Sequence, residues 1–298
     1  MKSTLHLCIA VCFVLLTGTV GISTVSNPAR LQKSSVRSKA AKSKAKPAPV
    51  FKPTKFTPAC ASPRFPTPAP ATSPEIDSQC GINGIGVGPE SVQDSVKNNF
   101  CATGTPQVKT IADLTALQKA VLKNTAINFG NANTAKRKRG PTTNRKPLQQ
   151  LGEGTLVTLK AFVLFAKQEG PESNNCGTKV SDHPLFHDIH INLVSSTSIT
   201  NQCSGVVVEM SPHHRPDSWT HENVEKVSKQ QLMVRVTGQL YFDSSHVPCV
   251  GGKSGGGGQP SRVSLWEIHP IYEFEVCTAG CDGEGTWLPL DQWVKEQK

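Results

Sequence analysis

From residue 151 onward the hydrophobic period of the chain becomes two, and that change constrains the fold more than any other feature of the sequence. In residues 154–168, GTLVTLKAFVLFAKQ, the positions Leu156, Thr158 and Lys160 alternate with Val157, Leu159 and Ala161. In residues 188–196, DIHINLVSS, Ile189, Ile191 and Leu193 share one face while Asp188, His190 and Asn192 share the other. Successive side chains of an extended strand point to opposite faces, so each segment reads as a strand with one apolar side. Residues 205–212, 231–245 and 262–277 continue the pattern, and 217–231, DSWTHENVEKVSKQQ, reads as a short helix. The resulting order, β-β-β-α-β-β, predicts a mainly β domain over 151–298 that ends in a tight CTAGC loop.

The rest of the chain is of a different kind. Lys2 precedes an apolar stretch, Leu5 to Ile22, followed by small residues, which is the make-up of a secretory signal peptide over residues 1–25. No second long apolar run follows, so no membrane-spanning segment is expected in the mature chain. Residues 26–78 are rich in Pro, Ala, Ser, Thr and Lys, and bury too little apolar surface to offset chain entropy. They are expected to form a disordered basic tether.

The net charge of +10 divides unevenly along these segments. Residues 1–78 hold eleven bases and two acids, residues 79–150 ten and three, and residues 151–298 eleven and seventeen. The basic character therefore belongs to the tether and to a loop at 131–150, where six bases fall between Lys136 and Lys146. An anionic surface polymer or a nucleic acid is the partner such a tether would contact. The β domain itself is acidic.

Between tether and β domain, residues 79–130 read as a small two-helix segment. Pro89 marks a helix start, with Val92, Val96 and Phe100 at helical spacing. Ile111, Leu114, Leu117, Val121 and Leu122 line a second helix, with Thr110 as N-cap, Asp113 at N3 and Gly130 beyond its end. Two such helices make no core alone, and they are expected to pack on the β domain.

Removal of the signal peptide leaves eight cysteines, an even number that suits an oxidising compartment. Eight cysteines allow on the order of a hundred pairings. Proximity suggests Cys80 with Cys101, Cys176 with Cys203, and Cys277 with Cys281. GGKSGGGG at 251–258 lacks the spacing and the following helix of a phosphate-binding loop, and reads as a flexible hairpin.

The order of elements, with one helix between the third and fourth strands and Gly238 inside VRVTGQL where a strand must bend, resembles the OB fold, a five-stranded Greek-key barrel. The segments DIHINL, VVVEMSPHHRP and SLWEIHPIYEFEVC also resemble secreted bacterial proteins of uncharacterised function in which a strand ending in E-[IL]-H-P closes such a barrel. These resemblances imply export to the periplasm or the exterior and the barrel fold, and no activity. Staphylococcal-nuclease-like enzymes share the barrel type, but Arg215, Arg235 and Arg262 stand in none of their motifs, so no catalytic role carries over.

Eight of nine histidines lie between residues 183 and 269. Asp188-Ile-His190 and Glu267-Ile-His269 each place an acid and an imidazole on one strand face, and in a structural role they would hydrogen-bond each other or loop backbone to fix the barrel ends. Asp188, His190, Asn192, His213, His214, Arg215 and Trp219 form the expected binding face of an OB-like barrel, with Glu267 and His269 beside it. An exported binding or interaction module follows, its ligand a glycan, a peptide or an oligonucleotide. Two alternatives remain: a metal-dependent hydrolase of esters or phosphodiesters that uses the His/Asp/Glu cluster, and a purely structural scaffold. No cofactor is expected apart from a transition metal, for which His190, His213 and His269 are the ligands this pattern offers.

Overall fold

A computed structural model describes residues 84–130, 142–175, 187–213, 215–255 and 260–297. The expected signal peptide and tether, Cys80, Cys176, His214 and residues 131–141 of the basic loop lie outside the described residues. In chain order the elements are α1 (Pro89–Lys97), β1 (Gln107–Lys109), α2 (Ile111–Lys123), α3 (Lys146–Gln150), β2 (Leu156–Gln168), β3 (Ile189–Val194), β4 (Val206–Met210), α4 (His221–Lys229), β5 (Met233–Phe242), β6 (Trp266–Ala279), β7 (Thr286–Pro289) and α5 (Leu290–Glu296).

Five of the strands close into a β-barrel. β2 pairs antiparallel with β3, β3 with β4, β5 with β6 and β2 with β5, and β4 lies parallel to β6 through Val208 and Ile268. β2, β3, β4 and β5 fall within the segments expected as strands, and β6 runs two residues past its segment, 262–277. The core joins Leu159, Ile191, Val208, Val236, Ile268 and Phe274 of these strands to Leu114 and Val121 of α2, Val224 and Val227 of α4, and Trp293 of α5. Gly238 of β5 faces Ile271 of β6 where the register slips. A Cβ there would lie 2.7 Å from Ile268 Cγ2 and press on the Pro270 carbonyl oxygen, so this close approach of two strands requires glycine.

The two helices before the barrel form where expected. Thr110 accepts a hydrogen bond from the Asp113 amide at 3.1 Å, and the Asp113 carboxylate accepts one from the Thr110 amide at 2.8 Å, a capping box that starts α2. They do not stand apart as a pair. β1, which lies between them, pairs parallel with β2, and residues 98–102 are bound to the barrel through the Tyr272 hydroxyl, which donates to Asn99 O and accepts from Ala102 N. Residues 142–150 also differ from the basic loop expected over 131–150, since Lys146–Gln150 is helical. Arg145 is buried there, its guanidinium on Glu153 and the Phe242 carbonyl.

Cys277 and Cys281 are joined as expected, but Cys203 is bonded to Cys249 and not to Cys176. The barrel explains this pairing. The turn before β4 and the loop from β5 to β6 lie side by side, held by hydrogen bonds from Asn201 to Gly252 and from Val263 to Gly205, so cysteines far apart in sequence meet. Cys101 is disulfide-bonded as well. Among the described residues, no helix is long and apolar enough to cross a membrane.

Candidate functional site

Alternation along three strands builds the site. Ile189, Ile191, Val208, Met210 and Ile268 belong to the main core, so Asp188, His190, Glu209 and His269 project from the other face of the sheet. The register brings them together: His190 is the cross-strand partner of Glu209, and the Val208–Ile268 pairing sets the end of β4 beside His269. This second face of the sheet is covered. α1 and residues 172–175 lie over it, tied by Asn98 to the Asn174 carbonyl, Gln239 to the Val96 carbonyl and Ser173 to Asp94. The result is a buried charged cluster. Asp188, His190, Glu209 and His269 are each 3% exposed or less.

Within each D-x-H and E-x-H motif, acid and imidazole pair with other partners and not with each other. His190 Nε2 lies 3.0 Å from Glu209 Oε1 and 3.5 Å from Glu172, and its Nδ1 lies 3.2 Å from Glu169. His269 Nε2 lies 2.9 Å from Glu209 Oε2 and 3.7 Å from Asp188 Oδ2. Lys97 of α1 enters from outside, its Nζ 2.7 Å from Glu172, 3.5 Å from Glu209 and 3.9 Å from Asp188. Glu267 instead holds the Arg262 guanidinium, which also reaches Asp243 at 3.2 Å.

Burial alone would neutralise these groups, and their mutual charges oppose it. Burial pushes both imidazoles down, but Glu209, followed by Glu169 and Glu172, holds His190 well above the ordinary range, and Glu209 with Asp188 raises His269. Against the same burial, His190, Lys97 and His269 hold Glu209 well below the usual carboxylate range. Burial would also lower Lys97, and Glu172, Glu209 and Asp188 keep it protonated. The ring nitrogens of His190 and His269 approach these oxygens without an aligned N–H, so charge rather than directed hydrogen bonding dominates the contacts. At Asp94, nearby, burial outweighs the opposing Ser173 hydrogen bond and Lys97 charge and raises it to about 6.

The residues expected at the site take several places. Asp188, His190 and His269 meet in the cluster. Asn192 donates to the carbonyls of Gln202 and Ser261 and braces two loops. Arg215 donates to the carbonyls of His187 and Met210, and burial lowers it to about 10. Trp219 is part of the main core. His213 is buried and joins neither group of side chains close enough together to hold a metal ion, which are Glu172, Asp188 and His190, and Asp188, Glu209 and His269. Reading the sequence alone misses Lys97, Glu169, Glu172 and Glu209. Only Glu209 left a trace, as the lone charge inside the apolar run VVVEM.

A pocket of about 250 Å³ lies between α1, residues 172–174 and residues 243–246, where Lys97 and Glu172 form the outer edge of the cluster. A larger hollow of about 370 Å³, lined by residues that include Asn99, Gln149 and Glu153, contains no member of it. A closed β-barrel bearing a buried cluster of acids, imidazoles and one ammonium is the class this chain defines. No protein-family model matches the chain, and no significant match was found to a curated protein or to a solved structure.

Proposed function

We propose that the chain is an exported binding module on an OB-type barrel, and that it takes a small cationic or hydroxyl-rich group of a peptide or a glycan in the pocket beside α1. The observation that carries this reading is the lining of that pocket. Glu90, Asp94, Glu172 and Asp243 contribute carboxyl groups, against the ammonium of Lys97, already held by Glu172, and the imidazole of His246, already held by Asp243. Such a lining favours an amine or a hydroxyl donor and repels phosphate. Asp188, His190 and His269, which were expected to face an extended polymer, are buried in the cluster that α1 covers, so the pocket is the approach they leave. The OB assignment is supported by the barrel closed through parallel β4 and β6, and by the helix between β4 and β5. Export is supported by the apolar N-terminal stretch and by the disulfides.

Binding of the purified full chain to three probes tests the reading: a Lys-rich peptide, an amino-sugar oligosaccharide and a DNA oligonucleotide. Saturable binding to the first or second is expected, weakened about tenfold by Glu90→Gln, which removes one exposed carboxylate. Saturation by neither would overturn it, as would an affinity untouched by both Glu90→Gln and Asp94→Asn.

A further inference from the structure

The geometry points to a divalent transition-metal site at Asp188, Glu209 and His269, independent of what the outer pocket binds. One carboxylate oxygen from each acid and one ring nitrogen of His269 all lie within 4.8 Å of one another. His269 Nε2 is 2.9 Å from Glu209 Oε2 and 3.7 Å from Asp188 Oδ2. A tetrahedral ion with bonds of about 2.0–2.1 Å separates its ligand atoms by about 3.3 Å, between those two distances.

A hydrogen-bonded cluster of the same groups would show aligned donors. Both ring nitrogens of His269, Asp188 Oδ1 and Glu209 Oε2 instead make no aligned hydrogen bond, although their side chains are almost fully buried and His269 Nε2 and Lys97 Nζ lie within ion-pair distance of Glu209 Oε2; a bound ion would take the place of the proton on His269. Buried polar atoms without partners are rare and call for a missing one. Asn174 Nδ2 donates to Asp188 Oδ2 at 3.0 Å and so orients that carboxylate, the task outer residues perform around a metal. Glu172 and His190 form a second group with Asp188, in which Glu172 is partly exposed. Two carboxylates with an imidazole suit zinc, manganese or ferrous iron better than calcium or magnesium, which prefer oxygen alone.

The test uses the full chain, with zinc, manganese and cobalt salts as probes. After equilibration with zinc or manganese and removal of free ion, elemental analysis is expected to find about one equivalent per chain, and thermal unfolding is expected to shift upward. Cobalt loading is expected to give visible absorption that excess zinc abolishes. Asp188→Asn and His269→Gln should each lose the bound ion. Because either variant can fail to fold, Glu209→Gln is compared by circular dichroism, and a folded variant with at least tenfold weaker retention supports the site. A folded wild-type chain that retains under a tenth of an equivalent of each metal and shows no cobalt absorption would overturn it. So would full retention in a folded Glu209→Gln or His269→Gln chain.

Discussion

Lys97 Nζ and Glu209 Oε2 lie 3.5 Å apart, although Lys97 sits on a helix outside the barrel and Glu209 on a barrel strand. α1 is therefore both cover and counter-charge: it closes the second face of β3, β4 and β6 and delivers the cluster's one ammonium. Without that ammonium, Glu172, Asp188 and Glu209 would rely mainly on His190 and His269, while Glu169 would keep its own partner, Lys167, at 2.9 Å.

Replacing Lys97 by Met tests how much of the fold depends on this arrangement. Met preserves the packing of the stem and removes the charge. Breaking a buried ion pair from one side costs about 3–5 kcal/mol, because the remaining charge stays desolvated. Denaturant unfolding of Lys97→Met should show a loss of that size, and an unchanged midpoint would mean that α1 is only a lid. If a dication binds at Asp188, Glu209 and His269, millimolar zinc should restore part of the loss by supplying the missing charge.

Asp94 gives the fold a dependence on pH of definite sign. Burial raises its folded value to about 6 from the ordinary 3.8, against the Ser173 hydroxyl, the Lys97 charge and the Gly86 amide, with Glu90 adding to the rise. The folded state therefore binds the proton more tightly than the unfolded chain. This contribution is fully present below about pH 4 and is lost as pH rises through 6, with a magnitude on the order of 3 kcal/mol. Unfolding midpoints measured at pH 4.5 and 6.5 should show a smaller difference in Asp94→Asn than in the natural chain. An identical difference would remove Asp94 as the cause.

Much of the barrel was legible in the sequence because a half-buried strand must alternate, and Ile189, Ile191 and Leu193 do so without a break. The capping box at Thr110 and Asp113 was legible for a like reason, since both halves lie within four residues. The site was legible only in part. Asp188, His190 and His269 stood out as polar groups on apolar strands, but their partners come from other elements, and no local pattern shows that His190 faces Glu209 across a ladder or that Lys97 descends from a helix. The same limit explains Cys203. Its partner, Cys249, is near only once β4 and β6 are adjacent, which proximity along the chain cannot reveal.

Gly238→Ala tests closure of the barrel. The added methyl would press on the Pro270 carbonyl and approach Ile268 Cγ2 to 2.7 Å, and these are atoms of a neighbouring strand rather than the free end of a flexible side chain. Overpacking of this kind costs about 1–3 kcal/mol, so the thermal midpoint should fall while the barrel stays folded at low temperature. A neutral or stabilised Gly238→Ala would show that β5 and β6 can part there at little expense.

Arg145 and Glu153 form a second buried charge pair, and it decides whether residues 142–150 belong to the fold. Arg145 Nε donates to Glu153 Oε2 at 2.9 Å, one terminal nitrogen donates to Glu153 and to the Phe242 carbonyl, and Glu153 in turn accepts from the Phe242 amide at 3.1 Å. The guanidinium also lies 5.4 Å from the Tyr241 ring centroid. Burial opposes its charge, and Glu153 restores it, so Arg145 stays protonated at any working pH. Arg145→Met should cost about 3–5 kcal/mol, because it strands the Glu153 carboxylate among buried groups, and Glu153→Leu should cost a similar amount by stranding the guanidinium. The double variant should cost clearly less than the sum, since no charge is then left unpaired. A coupling energy above about 1 kcal/mol in this cycle, measured by urea unfolding, would establish the pair as a joint between the basic segment and the barrel. Simple additivity would mean that each residue acts through its own packing, and that the segment before residue 150 rests on the barrel without being held by this pair.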